Sequence, residues 1–294
     1  MRFIQTADST GEKMLNIGIT TRAFGGMSVS ETAQSISEGG FSCTELCFVH
    51  EDLPGWTYNG FGSLKDYTTK RVRAAAEQFT SRGVTVVSLG MFTDLRNPDE
   101  KIRNQAIEYA KRYIEFASEA GIPYIASECG FTPGQRGVNA ETYESDYQHL
   151  KETVRKICII AKENGVQIAI EACVLDIIPS PRRLKTLIEE LRSESNVQLG
   201  AMLDPANFLA NSDEEDMFRY LNNDICYIHG KDRKINAAYG LNVGDGDIDW
   251  LKFMACYIRF ADGKPFILEY CDKDNCLKIK KRSLDYYNSV SRAI

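Results

Sequence analysis

The chain has 294 residues, 43% of them hydrophobic, which suffices for one large core or two small ones. Its formal net charge of -6 speaks against a broad nucleic-acid footprint, because affinity for phosphate backbones rests on clustered Lys and Arg. No apolar run approaches the roughly 18 residues needed to cross a bilayer, and the polar start, Met1 to Lys13, lacks the apolar stretch of a signal peptide. These features read as a cytoplasmic protein that acts on a small molecule, with neither membrane nor nucleic acid as partner.

Short apolar runs alternate with longer amphipathic stretches along the chain, the order expected of parallel strands joined by crossover helices. In chain order, strand-like 16–20 precedes helical 28–38, 44–48 precedes 65–82, 84–92 precedes 98–120, and 122–129 precedes 140–164. Then 167–173 precedes 180–193, 198–204 precedes 213–221, 225–232 precedes 249–260, and 265–270 precedes 275–290. Pro98, Asp99 and Glu100 suit a first helical turn, while Gly121 and Gly165 mark helix stops followed at once by strands. The strand-to-helix connections are longer: 49–64 holds His50, Pro54, Trp56 and Tyr58, and 130–139 holds Pro133 and Arg136. Such loops belong to the face on which barrel active sites are built.

This pattern predicts the α/β class and a (β/α)8 TIM barrel in a single domain over 16–294, preceded by an N-terminal arm at 1–15. A doubly wound open sheet is the alternative fold. Neither a GxGxxG nor a GxxxxGK[ST] follows an early strand, so nucleotide binding has no motif behind it. The nine cysteines include Cys47, Cys129, Cys173 and Cys226 in or just after strand-like runs rather than in CxxC pairs. They read as free, buried thiols of a reducing compartment.

Four successive strands end in an ionisable residue: Glu171 in IAIEAC, Asp204 in MLDPAN, His229 in YIHGKD and Glu269 in FILEY. Side chains alternate across a strand, so an inward Glu171 brings Ala169 and Gln167 inward and turns Ile168 and Ile170 toward the helices. The same register sets Met202 and Gly200 beside Asp204, and Ile267 beside Glu269. Three carboxylates and an imidazole would then converge at the barrel mouth, where burying so much negative charge is costly without a cation. One divalent metal ion bound by Glu171, Asp204, His229 and Glu269 resolves this. Oxygen-rich ligation with one nitrogen favours Mn2+, with Mg2+, Co2+ or Zn2+ as alternatives.

The stretches FSCTELCF, IAIEAC, MLDPAN, YIHGKD, VGDGDIDW and FILEY, in this order, resemble the sugar phosphate isomerase/epimerase proteins of the xylose isomerase-like TIM barrels. That group includes tagatose and psicose 3-epimerases and inositol-catabolism enzymes, and the resemblance runs from Asn16 onward. It implies that Glu171, Asp204, His229 and Glu269 hold the metal, and that Glu171 and Glu269 are the catalytic pair working from opposite faces of the substrate. The expected reaction is isomerisation or epimerisation of a sugar, sugar derivative or keto-inositol by proton transfer through a metal-stabilised enediolate.

The chain departs from the sugar epimerases where they tend to carry Asp-x-x-His: it has Asp204-Pro-Ala-Asn207, and Asn207 can hydrogen-bond a substrate hydroxyl but not titrate. Further candidates for substrate binding are His50 and Trp56 in the loop after the second strand, Glu128 at the end of the fourth, and Lys231 and Asp232 in HGKD. Other readings are a dehydratase or glycoside-modifying lyase on a keto-sugar using the same metal site, and a non-catalytic ligand-binding barrel. A homo-oligomer is compatible with any of these. An endonuclease IV-like three-metal cluster needs many imidazoles, and His50, His149 and His229 are the only three in the chain.

Overall fold

A computed structural model describes residues 14–132, 134 and 136–293. Most of the expected arm, and Pro133 in the loop after the fourth strand, lie outside the described residues. The chain runs β1 (Ile17–Thr20), α1 (Val29–Glu38), β2 (Cys43–Leu46), β3 (Val49–His50), β4 (Leu53–Pro54), α2 (Thr69–Thr80), β5 (Thr85–Gly90), α3 (Glu100–Ala120) and β6 (Tyr124–Glu128). It continues with α4 (Tyr143–Glu163), β7 (Gln167–Glu171), α5 (Pro181–Ser195), β8 (Leu199–Leu203), α6 (Pro205–Phe208), α7 (Glu214–Leu221), β9 (Ile225–Gly230), α8 (Trp250–Phe260), β10 (Phe266–Leu268) and α9 (Cys276–Ser291).

Eight strands close into one parallel barrel in the order β1-β10-β9-β8-β7-β6-β5-β2, so the open sheet is excluded. The two remaining strands, β3 and β4, form an antiparallel hairpin inside the loop after β2, which the apolar pattern does not announce. Each two-residue strand is too short to show a period.

Several strands are shorter than expected: 225–232 stops at Gly230 and 265–270 shrinks to Phe266–Leu268. Beyond these points the regular ladder ends, and Lys231 and Glu269 bring polar side chains to the mouth. The helix expected at 65–82 starts at Thr69, because the Thr68 hydroxyl accepts from Arg71 N and fixes the first turn there.

The core has two layers. Ile168, Ile170, Leu199, Ala201, Leu203, Phe266 and Leu268 pack outward among the helices. Ala169, Met202, Ile267, Val87, Ala126 and Tyr227 fill the barrel interior. Paired strands therefore share one alternation, with Ala169 opposite Gly200 and Ile267 opposite His229. A Cβ on Gly200 would lie 2.2 Å from Cys226 Sγ, so only glycine lets the two strands pack at that point. Nine cysteines are free and buried. Among the described residues, no helix is long and apolar enough to cross a membrane.

Candidate metal centre

The ends of β7 to β10 carry the four residues singled out by the sequence. Glu171 is the last residue of β7, and Asp204 follows β8 as the N-cap of α6. The sequence Asp-Pro-Ala-Asn explains that placement: Pro205 occupies the first helical position, and Asp204 Oδ1 accepts from Ala206 N at 2.9 Å and Asn207 N at 3.3 Å. One carboxylate oxygen is thus locked to the backbone, and Oδ2 is left for the mouth. His229 lies in β9, and Glu269 follows β10 with its N–H donating to Gly230 O at 3.1 Å.

One ligand atom from each of Glu171, Asp204, His229 and Glu269 falls within 4.8 Å of all the others, and all four residues are buried. His229 Nδ1 is 3.4 Å from Glu269 Oε2 and 3.7 Å from Glu171 Oε1. Asp204 Oδ2, Glu269 Oε2 and both ring nitrogens of His229 have no well-formed hydrogen bond among the described residues. Buried polar atoms are rarely left so. Three carboxylate oxygens and one ring nitrogen gathered within 4.8 Å of one another, with the imidazole lacking a hydrogen-bond partner, fit a divalent cation.

The electrostatics show what this arrangement does without a cation. Burial, reinforced by Glu171 and Glu269 and only partly offset by Lys231, pushes the Asp204 carboxyl up to about 8. Burial alone would lower the His229 imidazole, but Glu269 and Glu45 outweigh it and hold it well above its usual range. Glu269 goes the other way: burial is overcome by Lys231, Arg22 and His229, which keep it well below the ordinary carboxylate range.

Residues outside the expected set complete the centre. Glu45, wholly buried in β2, places Oε2 3.5 Å from His229 Nε2 and accepts from Tyr227 Oη at 2.5 Å and Ser88 Oγ at 3.2 Å. Arg22, just past β1, pairs with Glu269 Oε1 and lies 5.5 Å from the Trp56 ring centroid and 5.4 Å from that of Phe92. Glu45 was detectable in FSCTELCF as an acidic residue at an inward strand position. Arg22 carried no such signal, because it lies in a short 3-10 turn.

Above the cluster opens a cavity of about 480 Å³, lined by Trp56, Tyr58, Glu128, Asn207, Lys231 and Arg233, among others. Asn207 Nδ2 donates to Glu171 Oε1 at 2.8 Å, and its Oδ1 accepts from Arg233 Nη2 at 3.1 Å, so the amide ties a cationic wall to the cluster. Glu128 Oε2 accepts from Tyr58 Oη at 2.7 Å, and burial followed by Asp176 raises its carboxyl to about 7. Phe92 and Tyr270 hold φ of 41° and 61°, left-handed conformations rare for bulky residues and costing about 1–3 kcal/mol each. Both lie beside the cluster's partners, where such strain tends to gather.

Two of the expected substrate-binding residues are placed elsewhere. His50 is buried in β3 with Nδ1 3.3 Å from Thr32 Oγ1 and 3.2 Å from Met27 O, and burial depresses its imidazole. It braces the hairpin rather than facing the cavity. Asp232 accepts from Arg233 N, Gly244 N, Ile248 N and Trp250 Nε1, so it fastens the 233–249 loop. His149 lies in α4.

No curated protein matches the chain significantly in sequence. Solved structures do match its fold. A D-tagatose 3-epimerase-like protein aligns with TM-score 0.77 at 18% identity, over 95% of this chain and 99% of that one. An IOLI protein with a zinc atom gives TM-score 0.73 at 16% identity, over 94% and 99%. The 3-keto-D-glucoside 4-epimerase of E. coli gives TM-score 0.66 at 13% identity, over 95% and 100%. The sequence profile of the xylose isomerase-like TIM barrel matches residues 33–289, which hold seven of the eight barrel strands and all four clustered residues, and the chain belongs to that family.

Proposed function

We propose that the protein is a divalent-metal-dependent isomerase or epimerase of a sugar, sugar derivative or keto-inositol. The observation that carries this reading is the buried cluster of Glu171, Asp204, His229 and Glu269 beneath a cavity of about 480 Å³. That volume suits a single ring or short open-chain polyol, since small-molecule sites span about 300–1,000 Å³. Among the fold neighbours, several are named as sugar 3-epimerases or a keto-glucoside epimerase, and one carries zinc, which supports the class of reaction.

A divalent ion held by Glu171, Asp204, His229 and Glu269 would supply Lewis acidity toward a substrate carbonyl and so make the adjacent carbon-bound proton more acidic. Mn2+ suits the donor set best, and Zn2+ is the principal alternative. Glu171 and Glu269 supply the two bases: one removes the proton and the other returns one to the opposite face or to the neighbouring carbon. Asn207 orients Glu171 through the 2.8 Å hydrogen bond its Nδ2 donates, and Arg22 orients Glu269. Trp56 and Tyr58 form an aromatic wall over the ring, and Asn207, Arg233 and Lys231 offer donors to its hydroxyls.

A second reading, loss of a β-hydroxyl by the same chemistry, is favoured by Glu128. Its carboxyl, raised to about 7, lines the cavity and could protonate a departing hydroxyl. Incubation with Mn2+ in D2O across ketoses, aldoses and keto-inositols tests the proposal. Metal-dependent deuterium incorporation at one carbon is expected in the wild type, with turnover to product abolished in Glu171→Gln and Glu269→Gln. Full turnover in either variant would remove the two-base scheme, and release of water from substrate would select the dehydratase.

A further inference from the structure

Lys231 lies two residues beyond His229 and, by strand alternation, on the same side. It is buried, and its Nζ is 3.2 Å from Glu269 Oε2, 3.5 Å from Glu171 Oε1 and in close contact with Asp204 Oδ2. The ammonium therefore engages three of the four groups proposed to hold the metal, through the oxygens turned to the centre. Two cations cannot share those oxygens at such distances without strong repulsion.

Nζ already lies over the Tyr270 ring, 5.2 Å from its centroid and so within cation–π range, and both Lys231 and Tyr270 line the cavity. Tyr270 is half exposed and held at φ 61°. A four-carbon side chain can withdraw from the carboxylates while staying over the ring by rotamer changes alone, and a cation over an aromatic ring is itself favourable.

We propose that Lys231 is a tethered counter-cation: it pairs with Glu171, Asp204 and Glu269 in the metal-free protein, competes with the metal for them, and swings away from them toward the cavity, still over Tyr270, when the metal binds. This rests on the metal-site reading of the cluster. The swing carries the ammonium to the substrate side, where it donates to a substrate oxygen. Metal loading and completion of the substrate site are thereby one event.

The test is Mn2+ affinity, measured by chelator competition, together with Tm in EDTA and in Mn2+, for the wild type, Lys231→Met, Lys231→Gln and Lys231→Arg. Met and Gln remove the competitor, so each should bind Mn2+ about tenfold or more tightly. Their metal-free Tm should fall and the rise on adding Mn2+ should be larger than in the wild type. Arg keeps the charge and should bind Mn2+ no more tightly than the wild type. Should the Met variant fail to fold without metal, Gln, which retains hydrogen-bond donors, decides. Equal or weaker Mn2+ binding by folded Met or Gln variants would overturn the competition while leaving the metal site intact. Absence of Mn2+ binding in the wild type and all variants would overturn the metal-site reading itself.

Discussion

His229 shows how a single residue acquires its role from neighbours the sequence does not place beside it. Its Nε2 faces Glu45, which is fixed by Tyr227 and Ser88, and the three come from β2, β9 and β5. Groups behind a metal ligand fix its ring orientation and tautomer. Tyr227→Phe and Glu45→Gln should therefore weaken Mn2+ affinity by about 10–100-fold although neither side chain is among the four proposed ligands. Chelator competition on the two variants checks this, and wild-type affinity in both would remove the supporting role.

Glu128 gives a prediction in pH. A carboxyl whose folded value is raised, here from 4.5 to about 7, binds its proton more tightly in the native state. Between those values the native protein holds more protons than the unfolded chain, so stability falls as pH rises through the window and stays reduced above it. Tyr58, Asp176, Lys231 and Arg136 are the groups that face it. Glu128→Gln removes the charge, and should raise stability by about 1–3 kcal/mol at pH 8 and change it little at pH 4. Denaturant midpoints at the two pH values measure the difference, and an equal effect at both would show that burial does not govern Glu128.

At the scale of elements, strand ends were readable and loops were not. Period-2 alternation suffices to turn Glu171, Asp204 and Glu269 inward, because each lies on or one residue beyond a strand with an unbroken apolar face. His50 and Asp232 follow strands too, but a loop residue's direction is set by partners distant in sequence. For His50 these are Thr32 and Met27, and for Asp232 they are Gly244, Ile248 and Trp250. The VGDGDIDW stretch is thus the far side of an Asp232 clasp. Gly246 is required there, since a Cβ would stand 2.0 Å from Asp232 Oδ1.

The clasp carries its own prediction. Asp232→Asn turns an acceptor into a donor facing N–H groups, and a buried group left unpaired costs about 1–3 kcal/mol. The 233–249 loop should open to limited proteolysis, and Arg233 should lose its hold on Asn207, while the barrel remains folded by circular dichroism. Unchanged protease resistance would contradict the clasp.

For the whole molecule, the eight-fold βα alternation was legible because parallel strands buried on both faces leave apolar runs of similar length between amphipathic helices. The four proposed ligands were legible because barrel closure puts successive strand ends around one axis. Of the cationic complement of the mouth, Lys231 was legible in HGKD, whereas Arg22 and Arg233 were not, since they come from segments with no regular period. Their charges set against the carboxylates make the centre nearly self-neutralising without metal, yet four donor atoms remain without a proper hydrogen bond.

The central claim, a single divalent ion bound at the four strand ends, is tested most directly by metal stoichiometry after equilibrium dialysis against Mn2+. The account predicts about one ion per chain in the wild type and close to none in Asp204→Ala and His229→Ala, with all three proteins folded. Retention of a full equivalent in both variants, or none in the wild type at millimolar Mn2+, would contradict it.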